Sequence, residues 1–71
     1  MRYSVVIHLA EEEGFWVDVP ALPGCHSQGE TLGETLENVK EAIWLYLEGL
    51  IEQSQEIPSD EDVVFQVSVA V

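Results

Sequence analysis

Between residues 15 and 43 the chain reads FWVDVPALPGCHSQGETLGETLENVKEAI, and this run constrains everything around it. It holds an alternating strand, a rigid Pro/Gly turn, a short extended segment and a sharply capped helix. Thr31-Leu32-Gly33-Glu34 is a capping box: the Thr31 hydroxyl can accept from the Glu34 amide, and the Glu34 carboxylate can reach back. Glu30, Glu34 and Glu37 suit the positive end of a helix dipole. The apolar period that follows predicts a helix over about 32–52. Leu32, Leu36, Val39, Ile43, Tyr46, Leu47 and Leu50 share the face expected to be buried, with Glu34, Asn38, Glu41, Glu48 and Glu52 opposite. Leu45 falls on the polar side and reads as a lone exposed leucine. Trp44 and Ile51 sit at the margin, and Trp44 reads as a contact to another subunit.

Two strands and a turn precede the helix. Residues 3–10 alternate, with Tyr3, Val5, Ile7 and Leu9 on one face and Ser4, Val6, His8 and Ala10 on the other. Glu11-Glu12-Glu13-Gly14 is a turn, and Phe15, Val17 and Val19 return on the core face. Matching faces require Leu9 opposite Phe15 and Ile7 opposite Val17, since a slip of one residue would mix them. An odd-numbered loop with a glycine bulge satisfies that register. Pro20 and Pro23 end the second strand, and Leu22-Pro23-Gly24 has the residues of a type II turn. Residues 25–28 form a short third strand broken by Gly29. After a polar loop with Pro58, residues 63–71 alternate again as a last strand.

The order is therefore β-β-β-α-β in one small α+β domain over residues 1–71. The expected architecture is a four-stranded mixed sheet whose last strand returns parallel to the first by a right-handed crossover, with the helix on one face. A chain of 71 residues buries only about 60% of the surface it exposes when unfolded, so self-association is a natural remedy and a homodimer is expected. The sheet's other face has no second helix to cover it. It carries His8, Trp16 and Asp18 and is expected to meet a partner. Those three, with Gln28 of the third strand and Trp44 of the helix, are the candidate partner-binding residues.

Fourteen acidic residues stand against Arg2 and Lys40, a formal net charge of −12. Such a chain repels phosphate, which argues against direct nucleic-acid binding and against anionic membrane surfaces. A basic protein is the natural complement. Cys25 is the single cysteine, so no internal disulfide forms, which fits a reducing cytoplasm. Residues 1–14 lack the features of a signal peptide.

No catalytic constellation emerges. Cys25 and His26 adjoin on an extended segment and so point to opposite sides. His8 and Asp18 form a plausible cross-strand pair, but no nucleophile accompanies them. The carboxylates are scattered, the histidines and cysteine lack metal-ligand spacing, and the glycines match no phosphate-binding loop. No enzyme activity, cofactor or metal is expected.

The residues Tyr3-Ser4-Val5-Val6-Ile7, Glu12-Glu13-Gly14-Phe15-Trp16-Val17, Val19-Pro20-Ala21-Leu22-Pro23-Gly24-Cys25, Ser27-Gln28-Gly29-Glu30-Thr31 and Glu37-Asn38-Val39-Lys40-Glu41-Ala42-Ile43 resemble the N-terminal domain of the HicB-like antitoxins. The likeness runs from Tyr3 to about Leu47, and its most specific part is LPGC-x-SQG-x-T followed by NVKEAI. It implies a partial ribonuclease-H-like fold and a role in neutralising a small basic HicA-like toxin that cleaves mRNA. It also implies oligomers that commonly start from dimers. Many family members add a C-terminal DNA-binding module, and none is expected before Val71. Two other readings compete. One is a degenerate metal-dependent hydrolase, which predicts divalent-dependent nucleic-acid cleavage. The other is an orphan domain that binds only itself.

Overall fold

The computed structural model describes residues 2–60 and 70. Its elements are β1 (Val6–Leu9), β2 (Phe15–Asp18), β3 (His26–Gly29) and α1 (Leu32–Glu52). The three strands form an antiparallel sheet in the order β1-β2-β3, and α1 packs on one face. The expected order holds as far as the helix. The strand expected over 63–71, and with it the four-stranded mixed sheet, lies outside the described residues apart from Ala70.

Local chemistry accounts for each element. Leu9 pairs with Phe15 and Ile7 with Val17, the register that the two apolar faces demanded. The Ala10 amide donates to the Gly14 carbonyl at 3.1 Å, leaving Glu11, Glu12 and Glu13 as the loop. Gly14 has φ +89°, where an L side chain is strained, and a Cβ there would lie 2.8 Å from the Gly29 carbonyl oxygen. Two turns join β2 to β3. The Leu22 amide donates to Val19 O at 3.0 Å, and the Cys25 amide to Leu22 O at 2.9 Å. Gly24, at φ +83°, fills the third position of the second turn, as a type II turn requires. The Thr31 hydroxyl accepts from the Glu34 amide at 3.1 Å and starts the helix.

β1 begins at Val6, three residues later than its alternation predicts. The cause lies in its neighbour: Val6 faces Asp18, the last residue of β2, and Pro20 beyond it has no N–H to extend a ladder. Residues 3 and 4 tie instead to the chain beyond the helix. The Tyr3 hydroxyl donates to Pro58 O at 2.6 Å, and Ser4 Oγ donates to Asp60 Oδ2 at 2.8 Å.

Val17, Val19, Leu22, Cys25 and Val39 are buried, with Tyr3, Val5, Ile7, Ala42, Ile43, Tyr46 and Leu47 packed around them. The expected core needs three corrections. Leu9 is 79% exposed, while Leu32 and Leu36 are 49% and 37% exposed. The helix lies over β3 and β2 and does not reach β1, so Leu9 has no cover. Its seat is set at Gly29, where a Cβ would fall 2.7 Å from both the amide nitrogen and Oγ1 of Thr35. Thr35, absent from the expected face, is fully buried at that contact, and its hydroxyl donates to Thr31 O at 2.7 Å. With Thr35 and Val39 against the sheet, Leu32 and Leu36 turn towards the rim. Further along, the Tyr46 hydroxyl donates to Pro23 O at 2.8 Å, tying the helix to the Pro/Gly turn.

Gly29→Ala is expected to cost about 1–3 kcal/mol, because Thr35 and the helix backbone must move away. Thr31→Ala, which removes only the cap, is expected to cost about 1 kcal/mol. Urea unfolding followed by circular dichroism checks both. An unchanged midpoint for Gly29→Ala would mean that the helix is not seated by this contact.

Candidate functional site

The sheet face turned away from α1 is built from two cross-strand rows. Val6, Asp18 and His26 form one, and His8, Trp16 and Gln28 form the other. Strand alternation puts all six on one side. The His8 ring stacks on Trp16 with centroids 3.8 Å apart and planes 11° from parallel. His8 Nε2 lies 2.7 Å from Asp18 Oδ1, and since the carboxylate only accepts, Nε2 carries the hydrogen. His8 is thus fixed by a ring on one side and a carboxylate on the other. Trp16 remains 43% exposed and Val6 37%. The patch combines an aromatic anchor, a flanking carboxylate and polar neighbours, the mixture that binding surfaces favour.

The β3 edge is partly closed. The Val19 amide donates to Cys25 O at 3.1 Å, so the antiparallel alternation aims the Gln28 carbonyl away from β2. Asn38 Nδ2 donates to that carbonyl at 2.8 Å and occupies an acceptor that an added strand would need. Beside it lies an open hollow of about 680 Å³, bordered by Glu13, Trp16, Gln28, Glu30, Glu34 and Asn38.

Four of the five candidate residues, His8, Trp16, Asp18 and Gln28, therefore share one face. Trp44 does not join them: it stands on α1, 69% exposed, in the other layer. His26 and Val6 belong to the face and were missed as candidates. Counting one alternate position back from Gln28 along the third strand finds His26. Among the described residues no three His, Cys, Asp or Glu side chains gather closely enough to hold a metal ion.

Residues 3–68 match the family model described as the HicB-like antitoxin of bacterial toxin-antitoxin systems. The chain belongs to the HicB-like antitoxin family. Relatives of this HicB-like chain include a UPF0150 protein of Thermoplasma acidophilum, 48% identical over 60 residues that cover 84% of this chain and 87% of that protein. A second UPF0150 protein, from Synechocystis, is 39% identical over 99% of this chain and 89% of its own length. Among solved structures, the Burkholderia pseudomallei antitoxin HicB superposes with a TM-score of 0.70 at 35% identity, over 97% of this chain and 48% of that one. A chain of the HicA3 and HicB3 toxin-antitoxin complex superposes with a TM-score of 0.67 at 28% identity, over 80% of this chain and 65% of that one. The HicB-like chain thus spans about half of the first and about two thirds of the second. Among its described residues no helix is long and apolar enough to cross a membrane.

The neighbouring Cys25 and His26 of this HicB-like domain sit on opposite sides, as an extended segment requires: Cys25 is buried at 5% exposure and His26 is exposed. Burial pushes the Cys25 thiol above its ordinary value of 9.0. The native state then keeps a proton that the unfolded chain releases, so stability is lost as pH rises above that value. Urea midpoints measured across pH 8 to 10.5, about the range that brackets the free thiol, are expected to fall more steeply for the native sequence than for Cys25→Ala. Equal slopes would show that Cys25 is not shielded.

Proposed function

We propose that this protein is an antitoxin that binds and neutralises a small basic HicA-like toxin, itself an mRNA-cleaving protein. The family match over residues 3–68 carries the proposal. Two further observations support it. A structural relative is a chain of a HicA3 and HicB3 toxin-antitoxin complex, and a net charge of −12 complements a cationic nuclease while repelling its RNA substrate. In this reading the open sheet face is the contact, with Trp16 as anchor and His8, Asp18 and Gln28 around it. Trp44 makes a separate contact from the helix layer. The protein works by occlusion rather than turnover, without direct nucleic-acid or membrane binding. It acts in the cytoplasm and pairs with itself. Its fold is of the partial ribonuclease-H-like kind that the family resemblance implies.

The test is co-expression with the product of an adjacent reading frame encoding a small basic HicA-like protein. The pair is expected to co-purify and to weaken as salt rises, because screening shortens the reach of the charges. Cleavage of mRNA by the toxin is expected to stop when the antitoxin is added. Trp16→Ala is expected to weaken binding at least about tenfold, with Trp16→Phe retaining most of it. If the basic protein neither co-purifies nor loses its nuclease activity, the proposal is wrong. If binding survives Trp16→Ala unchanged, the sheet face is not the contact.

A further inference from the structure

The second half of α1 carries features that weaken the isolated fold. Trp44, Leu45 and Ile51 are 69%, 59% and 62% exposed, although they stand on a helix whose opposite side is packed on the sheet. Glu41, Glu48 and Glu52 are exposed among them. Glu48 and Glu52 are four residues apart on one face, where like charges repel. The last helical turn holds no basic residue, so the negative end of the helix dipole faces Glu52 without compensation. No lysine or arginine stands among them in this half of the helix. Arg2 and Lys40, the only two in the sequence, both line the groove between the N-terminal segment and the first half of the helix. Lys40 there pairs with Glu37 at 3.2 Å.

We infer that the second half of α1 is a docking seam for a cationic amphipathic segment of a partner protein. Its apolar ridge covers Trp44, Leu45 and Ile51, and its lysines or arginines meet Glu41, Glu48 and Glu52. A second copy of this chain is the wrong occupant, because it brings the same acids and a net charge of −12 of its own. Pairing of the chain with itself uses another surface. The seam lies in the layer opposite the open sheet face and gives the Trp44 contact of the proposed function its surroundings, while its test is separate from that of Trp16.

The probe is a fluorescently labelled amphipathic peptide of about 14 residues, roughly four helical turns, built from two Leu-Lys-Lys-Leu-Leu-Lys-Leu heptads. A scrambled peptide of the same composition, without an apolar face, is the control. Anisotropy with the full chain is expected to show the amphipathic peptide binding at least about fivefold more tightly, a difference of about 1 kcal/mol. The double variant Glu48→Lys/Glu52→Lys is expected to bind it at least about tenfold more weakly and yet to unfold several degrees higher, since it complements the helix dipole and offsets part of the net charge of −12. Ile51→Ser is expected to weaken binding with little change in unfolding temperature. Higher stability with lost binding is a result that a purely structural role for these glutamates does not give. Equal binding of the two peptides, or binding untouched by either variant, overturns the inference. A free chain that is dimeric in sedimentation and becomes monomeric on Trp44→Glu overturns it too, in favour of a second copy. None of these outcomes bears on the Trp16 test of the sheet face.

Discussion

The helix lies where it does because residue 29 has no side chain. The backbone of α1 comes so close to the end of β3 that a single added carbon would collide with the Thr35 amide. Much of the architecture follows from that approach. Thr35 becomes the most deeply buried polar residue among those described, with its hydroxyl satisfied one turn back on the Thr31 carbonyl. Val39 reaches the core beside Val17 and Val19. Asn38 lands beside the outer edge of β3 and takes the Gln28 carbonyl. The helix covers β3 and β2 only, leaving Leu9 bare at the end of β1. One missing methyl thus sets the seat of the helix, the composition of the core and the partial closure of a sheet edge.

The second constraint is charge. With two cations against fourteen acids, internal compensation is scarce, and both cations lie on one groove. The sheet face is left with an exposed Trp16 beside an Asp18 bonded to His8, and the outer half of the helix with exposed aromatic and aliphatic groups among acids. Such surfaces suit basic partners and disfavour contacts between identical copies, since attraction to one class and repulsion of another both contribute to specificity. A family of antitoxins is a natural setting for this division, with a small rigid scaffold carrying a strongly acidic exterior.

The local elements were legible in the sequence because their signals are local. The capping box marked the start of α1, and the 3.6-residue period carried it to Glu52. The type II turn followed from Pro23 and Gly24, and the β1–β2 register followed from the need to keep apolar faces together. Three of the five candidate contact residues were recognised by strand alternation alone, as His8, Trp16 and Asp18. What alternation cannot supply is the distance between layers. Leu32, Leu36 and Leu9 have core-like patterns and remain exposed, because burial depends on where the helix sits rather than on periodicity. Periodicity placed Trp44 at the margin of the helix's apolar face, and the packing leaves it 69% exposed there.

By itself the sequence determined the order of the elements as far as the helix, the register of the first hairpin, the cap of the helix and a net charge of −12. Each depends on neighbours a few residues apart or on a sum over the whole chain. The tertiary structure decided which apolar residues are core and which are surface, that His8 stacks on Trp16 while bonding Asp18, and that the exposed groups fall on two separate layers. Those outcomes depend on the close approach of Gly29 and Thr35, a contact between two elements that no periodicity in either one encodes.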